Sequence, residues 1–270
     1  MKIRHSQAAI TFAFRLSTFA LVVPITDMKY QLYYWPHIQG RGEFVRLALE
    51  EGAADYVDVA RMPARRGMGE AAMMRLMDEA PAGRLPFAAP FLKAGKLVIA
   101  QTSNILQFLG PRLGLVPKAE ATRLWAHQLQ LTIADLVGEA HDTHHPIAGS
   151  LYYHQQKPEA KRRAGHFTGE RLPKFLGYFE RVLSANPGGD RWLIGKSLTY
   201  VDLSMFQVIA GLNYALPRAM KGLSRKHPKL TALHQRVQER PRIAAYLASS
   251  RRIPFNERGI FRHYPELDGE

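Results

Sequence analysis

The sequence contains no cysteine. This absence excludes a disulfide-stapled scaffold, a Cys-x-x-Cys redox site and any mechanism in which a cysteine of the protein is the nucleophile. Thiol chemistry would therefore need a thiol that arrives with a ligand. Two other signatures are missing. No Gly-x-Ser-x-Gly nucleophile elbow occurs, and the Gly-Lys-Ser run at 195–197 is not a phosphate loop, because Asp190 replaces the glycine that such a loop needs.

Long apolar runs are also scarce. The run at 8–23 is interrupted by Arg15 and is too short to span a membrane. No acidic residue precedes Asp27, and this basic, hydroxyl-containing start vaguely resembles a transit peptide. A start codon assigned upstream of a native Met28 explains the same residues. We prefer that interpretation, in which residues 1–27 are a mis-assigned or disordered extension.

Acidic residues are few: 23 Asp and Glu stand against 37 Lys and Arg, a formal net charge of +14. The excess is largest at 218–229 and at 251–252. However, the basic residues are spread along helical patterns and mixed with Glu, and no DNA or RNA recognition signature occurs. We interpret the charge as a solvated surface that binds polyanions nonspecifically at low salt, without a specific nucleic-acid partner.

The first half of the chain predicts a small mixed domain. Residues 30–35 alternate as a strand, a loop follows at 37–40, and a helix begins at Arg41. Residues 91–92 and 96–100 are strand-like runs joined by a short turn, which predicts a hairpin. The order of strand, loop and helix followed by hairpin and helix is thioredoxin-like.

The hairpin and the helix after it predict a ligand site. Pro90 stands at the entrance of the first hairpin strand, where a cis Ala89–Pro90 bond would free one N–H and one C=O of the chain for a ligand, although an ordinary trans proline fits the same position. Residues 101–104 are hydroxyl and amide residues before an apolar helix. We expect one of these side chains to cap the helix and free N–H groups there to attract an anion.

The second half of the chain predicts helices. With 270 residues, 46% of them hydrophobic, the chain can bury one large or two small cores. A boundary falls near 114–118, and helical patterns follow. After Ser250 an aromatic tail begins, which we expect to pack either over the substrate cleft or on the helices. The helical patterns cover residues 120–145, 158–185, 200–217, 228–239 and 241–250.

Together these residues resemble the cytosolic glutathione S-transferases, especially the tyrosine-type pi, mu and sigma classes, whose first strand ends in a tyrosine and an aromatic residue before a Gly-Arg helix start. Residues 195–202 resemble the family's buried capping box. The resemblance extends over 28–250. It implies an α+β thioredoxin-like domain at 28–113, an all-helical domain at 119–250 and a C-terminal tail at 251–270.

The resemblance implies a transferase of detoxification, a cytoplasmic homodimer that binds glutathione as co-substrate and directs its thiolate at small, largely apolar electrophiles. A thiol of pKa about 8.5 must be lowered by roughly two units, or about 2.7 kcal/mol. One hydrogen bond to a charged acceptor contributes about 1.5–3 kcal/mol, so one tyrosine hydroxyl nearly suffices. Tyr34 takes the catalytic position. Tyr33 is the rival, and strand alternation places the two on opposite faces.

The remaining glutathione contacts are implied position by position. Pro90 lies eleven residues before Gln101, the family's spacing, which selects it over Pro86. The glycyl carboxylate is expected to meet Arg65 or Arg66, and the sequence does not choose between them. Asp135 resembles the carboxylate that reaches the γ-glutamyl amine across a dimer interface, although a solvated helix acid fits equally well. The implied set of glutathione contacts is Trp35, Arg41, Ala89, Pro90, Gln101, Thr102 and Asp135.

The electrophile pocket is implied to include His145, Tyr214 and Phe255. His141, His144 and His145 share one helical face, which raises the alternative of a metal site, but no open coordination site is evident and we expect no metal. A non-catalytic ligand carrier or interaction scaffold is the competing class, since a fold does not establish catalysis. Glutathione-dependent isomerisation or peroxide reduction would use the same sulfur.

Overall fold

The structure is a computed structural model that describes residues 29–79 and 85–269. The extension predicted at 1–27 lies outside the described residues. No helix in the described part of the chain has both the length and the apolar character needed to cross a bilayer.

A four-stranded sheet of order β2-β1-β3-β4 organises the first unit. Strand β1 pairs in parallel with β2, while β3 is antiparallel to both β1 and β4. The predicted hairpin is present, with its turn at 95–96 rather than at 93–95. The strands are β1 (Tyr30–Tyr33), β2 (Tyr56–Asp58), β3 (Phe91–Ala94) and β4 (Leu97–Ala100).

Helices cover both faces of this sheet. Leu32 faces α1 and α3 in one apolar cluster. Tyr33, one residue on, packs with Phe91 and Met73 of α2 on the opposite face, because successive strand side chains point to opposite sides. The helices of this unit are α1 (Gly42–Glu51), α2 (Glu70–Asp78) and α3 (Thr102–Arg112). The thioredoxin-like prediction is confirmed.

The second unit is all helical and surrounds α7, which is buried along nearly its whole length. Its core is continuous with the first unit through Phe44 and Leu47 of α1. The helices are α4 (Glu120–Asp142), α5 (Lys157–His166), α6 (Leu172–Ala185), α7 (Tyr200–Ala215), α8 (Pro217–Lys226), α9 (Pro228–Gln238) and α10 (Pro241–Leu247). A turn of π-helix at Phe167–Arg171 joins α5 to α6. Helix α8 was not predicted, because it is short, basic and buries only Met220 and Leu223.

The predicted capping box stands at the start of α7. The carboxylate of Asp202 accepts hydrogen bonds from the backbone N–H of Thr199 at 2.7 Å and from its hydroxyl at 2.7 Å. Its second oxygen accepts from the N–H of Leu193 at 2.8 Å. Asp202 thus ties the central helix to the segment before it, and the buried carboxylate has three donors.

The tail beyond α10 is ordered against both units. Ile260 and Phe261 join the helical core, so packing on the helices is one of its roles. The side-chain amide of Asn256 also donates to the carbonyl of His37 in the loop before α1, at 2.9 Å. Near the far end, Asp268 accepts hydrogen bonds from the N–H groups of Arg218 at 2.6 Å and Ala219 at 3.0 Å, which caps α8. The expected packing of the tail on the helices therefore occurs, and the tail also contacts the loop before α1.

Candidate active site

The loop between β1 and α1 holds a buried tyrosine against the start of a helix. The phenol oxygen of Tyr34 accepts a hydrogen bond from the backbone N–H of Arg41 at 2.9 Å. Burial raises the pKa of Tyr34, although the Arg41 N–H and the charges of Arg41 and Arg46 oppose it. The phenol is therefore protonated at neutral pH. Its hydrogen has no acceptor among the described residues, so it is available to a ligand.

Two glycines make this arrangement possible. A Cβ on Gly40 would lie 2.0 Å from the hydroxyl oxygen of Tyr34, and one on Gly42 would lie 2.5 Å from its ring. Gly40 also has a φ of +45°, which side chains rarely adopt. Any larger residue at either position would push the phenol out of place.

The neighbouring tyrosine faces away from this loop. Tyr33 stacks on Phe91 with a centroid distance of 4.8 Å, and its hydroxyl donates to the side chain of Gln31 at 3.0 Å. It lies in the cluster under α2. Of the adjacent pair, Tyr34 alone is placed at the start of α1.

The start of α3 lies next to the start of α1, because Thr102 is hydrogen-bonded to Arg41. The Ala89–Pro90 peptide bond is cis. Gln101, the residue before α3, has a φ of +69°, and non-glycine residues in that region cluster at ligand sites. The prediction that a side chain caps α3 is wrong, because no side-chain oxygen accepts from the free N–H groups at its start. Instead, the Thr102 hydroxyl donates to the carbonyl of Arg41 at 3.4 Å, and the side-chain amide of Asn104 donates to the carbonyl of Ala100.

Other residues of the implied set lie around these two helix starts. Trp35 and Arg41 are exposed. A small cavity at this point is lined by Arg41 and Thr102 on one side and by Ala134 of α4 on the other. Asp135, the next residue of α4, is exposed. The alternatives Arg65 and Arg66 are both exposed in one 3₁₀ turn at Ala64–Arg66, so the structure leaves the choice between them open.

Comparison with known proteins shows a similarity to glutathione S-transferases. A family model for the glutathione S-transferase C-terminal domain matches residues 141–250. Glutathione S-transferase P 1 of Xenopus laevis is 29% identical over 224 residues, which cover 83% of this chain and 93% of the relative. The chain is therefore similar to glutathione S-transferases over most of its length, and to their C-terminal domain over residues 141–250.

Two further similarities concern the fold and the range of proteins that resemble this chain. The pi-class glutathione S-transferase of Onchocerca volvulus superposes with a TM-score of 0.61 at 22% identity, over 80% of this chain and 91% of that one. That likeness concerns the fold. S-crystallin 4 of Enteroctopus dofleini is 23% identical over 230 residues, covering 84% of this chain and 99% of the relative. A glutathione S-transferase fold therefore also occurs among relatives that are not named as transferases.

Beneath the candidate site lies a buried charge network. Arg46 is fully buried, and its Nε donates to Asp58 at 2.7 Å while a terminal nitrogen donates to Glu43 at 3.2 Å. Burial alone would lower the pKa of Arg46, but the charges of Asp58 and Glu43 outweigh it and raise that pKa above its usual range. Its guanidinium carbon lies 5.8 Å from the ring centroid of Tyr34. The network thus supports the loop that carries the phenol.

The tail completes this network. Arg252 pairs with the carboxylate of Glu43, which also accepts from the hydroxyl of Tyr246 at 2.7 Å. Gln39, in the loop, donates to the carbonyl of Ile253 at 2.5 Å and accepts from Gln207 of α7 at 2.7 Å. Residues from the loop, α7, α10 and the tail therefore share one set of buried hydrogen bonds.

The residues implied for the electrophile pocket form two groups. Tyr214 of α7 stacks on Phe255 of the tail at 5.0 Å, with 13° between the rings. Its hydroxyl donates to Glu257 at 2.6 Å. Burial, together with that carboxylate, raises the pKa of Tyr214 to about 12. His145 lies across the tail from this pair, where it lines a second cavity with Glu257.

The three histidines at the end of α4, His141, His144 and His145, are engaged with each other and with the tail. Nε2 of His144 donates to the carbonyl of Ile260 at 2.7 Å. Burial lowers the pKa of His144 to about 3, and a neutral ring that donates through Nε2 accepts through Nδ1. Nδ1 of His145, 2.5 Å away, is then the donor. Within 29–79 and 85–269, no group of three His, Cys, Asp or Glu is arranged to hold a metal.

Sequence reasoning missed three features of the site: the Glu43–Arg46 network, the backbone of Gln101 and the tail arginines described below. A signal existed for the first, since Glu43 and Arg46 are three residues apart on one face of an apolar helix. No sequence pattern predicts a positive φ at a glutamine, and none predicts the hydrogen-bond partner of a residue in an irregular tail.

Proposed function

We propose that the protein is a glutathione transferase in which Tyr34 stabilises the thiolate of bound glutathione. The observation that carries the proposal is the unengaged hydrogen of the Tyr34 phenol, held at the start of α1 while its oxygen accepts from Arg41. A hydroxyl that is protonated and has no acceptor can donate the hydrogen bond that stabilises a thiolate. The adjacent helix end adds a favourable field for negative charge.

The reaction follows from this geometry. The thiol proton passes to solvent as glutathione binds, and the sulfur lone pair then forms a bond to an electrophilic carbon. The leaving group departs with the electrons of the bond that breaks. Tyr34 moves no proton in this sequence. It lowers the pKa of the thiol by hydrogen bonding to the charged form, with Trp35 and Arg41 beside it.

The peptide part of glutathione is proposed to lie between Ala89 and the start of α3. The cysteinyl backbone would pair with Ala89 beside Pro90, and the γ-glutamyl carboxylate would bind at Gln101 and Thr102. Free N–H groups at a helix start favour such a carboxylate. The strained φ of Gln101 is consistent with a backbone held for a ligand. A cytoplasmic location, also proposed, would supply glutathione as a free thiol.

The first test is the ultraviolet difference spectrum of the glutathione thiolate, recorded with the protein from about pH 5 to pH 9. Since one hydrogen bond to the thiolate supplies about 1.5–3 kcal/mol, we expect the thiol pKa to fall by about one to two units below the free value of about 8.5. S-methylglutathione, which has no ionisable thiol, is the control ligand. Binding of glutathione with an unshifted thiol pKa would contradict the proposal.

We also propose that the protein is a homodimer in which Asp135 of the second copy reaches the γ-glutamyl amine. The outer face of α4 exposes Leu124 at 60% and Leu131 at 48%, seven residues apart, followed by Asp135. Apolar side chains exposed on one helix face are those that a partner covers. The cavity at Arg41 and Thr102 borders this same helix.

In the dimer, Asp135→Asn should raise the Kd for glutathione about tenfold, because a charged hydrogen bond to the amine is lost. The thiol pKa of the bound ligand should stay unchanged. A glutathione analogue that lacks the α-amino group should bind both proteins equally. A monomer by light scattering at the assay concentration, or an equal loss with the analogue, would exclude this role.

A non-catalytic carrier or scaffold is the second candidate, favoured by the similarity to a protein named as a crystallin. The spectrum separates the two functions, because a scaffold has no need of a stabilised thiolate. Isomerisation and peroxide reduction would give the same spectrum as conjugation, and product analysis distinguishes them.

A further inference from the structure

Beside the tail lies an open cavity whose lining includes only one of the predicted site residues, His145. Its volume is about 780 Å³. The tail forms one wall, and the segment after α4 forms the other. Its lining includes His145, Lys157, Tyr153, Tyr264, Arg258 and Arg262, so aromatic rings and cations share the surface.

Two of these cations have no carboxylate within ion-pair distance in the described ranges 29–79 and 85–269. Arg262 is held by the carbonyl of Gly259 at 2.8 Å and that of Arg258 at 3.3 Å, which fixes its guanidinium without neutralising it. The guanidinium of Arg258 has no hydrogen-bond partner in the same ranges. By contrast, Lys157 is paired with Glu266 at 3.4 Å.

Of the acidic residues that line the cavity, Glu257 forms no ion pair in the described ranges, but its carboxylate accepts hydrogen bonds from other groups. Glu257 accepts hydrogen bonds from the hydroxyl of Tyr214 at 2.6 Å and from the N–H of His263 at 3.3 Å. The imidazole of His145 adds no positive charge, because burial, and then the charge of Arg262, lower its pKa to about 4. The positive potential of the cavity therefore comes from its arginines.

This cavity adjoins the proposed thiolate site through one short segment. Tail residues 254–256 line a small cavity together with Gln39 and Gly40, whose loop holds Tyr34, and residues 257–258 line the arginine-lined cavity. Burial lowers the pKa of His141, and the charges of Arg41 and Arg262 add to this while Asp142 opposes it. The ring of His141 stacks on that of His145, which lines the cavity, with a centroid distance of 5.2 Å.

The apolar half of the expected electrophile pocket is filled by the protein itself. Phe255 stacks on Tyr214, and Phe261 lies so close to α7 that a Cβ on Gly211 would be 2.2 Å from its ring. The arginine-lined cavity formed with tail residues 257–258 stays open. A purely apolar electrophile would leave these guanidinium groups without a partner.

We propose that the second substrate site selects electrophiles that carry an anionic group, with Arg258 and Arg262 binding a carboxylate or sulfonate while the tyrosine rings contact an aromatic body. A guanidinium binds a carboxylate through two parallel hydrogen bonds. The inference rests on the proposed transferase function and refines its substrate from apolar to amphipathic.

The test compares chlorodinitrobenzoate, with chlorine para to the carboxyl, and the matching chlorodinitrobenzamide. In both, glutathione sulfur bonds to the ring carbon and chloride leaves with its electron pair. Each kcat/KM is divided by the uncatalysed rate constant, which removes the difference in intrinsic reactivity. We expect the corrected kcat/KM for the carboxylate to exceed that for the amide about tenfold and to fall with added salt.

The informative variant is Arg258→Gln, since this guanidinium makes no contact that the fold needs. It should lower kcat/KM for the carboxylate about tenfold, mostly through KM, and change the amide less than about twofold. Arg225→Gln removes an equal charge from an exposed site on α8 and should change neither. Equal losses for both substrates, or no corrected preference in the native protein, would overturn the proposal.

A binding measurement keeps this result separate from the transferase function. Dinitrobenzoate and dinitrobenzamide, which lack the leaving group, are titrated calorimetrically into the protein with glutathione present. If neither chloro compound is conjugated but dinitrobenzoate binds and Arg258→Gln weakens it, the anion site stands and the transferase function fails. If the amide is conjugated but dinitrobenzoate does not bind, the anion site fails and the transferase function stands.

Discussion

Tyr34→Phe is expected to raise the pKa of the thiol of bound glutathione by about one to two units. It is also expected to lower kcat/KM for conjugation by roughly 10- to 150-fold at neutral pH. The variant removes the hydroxyl that accepts from the N–H of Arg41 at the start of α1 and whose hydrogen has no acceptor within the described ranges. The ring, which fills the space over Gly40 and Gly42, is kept. Thiolate difference spectra and rates measured at several pH values report the two effects independently.

Tyr33→Phe is the matched control. It removes a hydroxyl from the adjacent residue, whose ring stacks on Phe91 and whose bond to Gln31 lies on the other face of the sheet. This variant should leave the thiol pKa unchanged and the rate within about twofold, since loss of a partly exposed neutral hydrogen bond costs about 1 kcal/mol of stability at most. An effect of Tyr33→Phe equal to that of Tyr34→Phe would refute the assignment.

Arg46→Met is expected to lower the free energy of unfolding by about 3–5 kcal/mol, because it leaves the buried carboxylate of Asp58 without its partner. Asp58 accepts from Arg46 at 2.7 Å, and its next cation, Arg61, is 4.0 Å away. Methionine fills much of the same volume, so the loss reports charge rather than packing. Urea unfolding followed by both tryptophan fluorescence and far-ultraviolet circular dichroism measures the change.

The double variant Arg46→Met/Asp58→Asn separates the physical causes. Removing the unpaired charge as well should recover part of the lost stability, since a neutral amide is cheaper to bury than a carboxylate. Arg225→Met, at an exposed site, should change stability by less than about 0.5 kcal/mol. A loss below about 1 kcal/mol in Arg46→Met would mean that the network contributes little to stability.

The parts of this fold that the sequence predicted are those in which local chemistry dictates structure. The alternation at Tyr33 and Tyr34 follows from strand geometry, and the capping box at Thr199 and Asp202 follows from the needs of a helix start. The helices of the second unit follow from their apolar periodicity. Helix α8 was missed because its polar composition hides the short stripe that it buries.

The charge network and the tail contacts could not be predicted in the same way. Pattern reasoning assigns charged side chains to the surface, so Glu43 and Arg46 would be read as solvent-facing, although neither has any exposure. Their partners come from elements far away in the sequence, and no local rule links Arg252 to Glu43. The roles assigned to Tyr34, Gln101 and Asp135 stay predictions until they are measured.

The contacts of Gln39 have a consequence for the order in which the molecule assembles. Its amide nitrogen bonds to Ile253, 214 positions away in the sequence, and its oxygen bonds to Gln207, 168 positions away. Closing loops of this size costs chain entropy, and contacts between surfaces that have already formed on each side must compensate for it. We therefore expect both cores to form before the loop beside Tyr34 is secured, so the geometry of the candidate site would be among the last parts of the molecule to be completed.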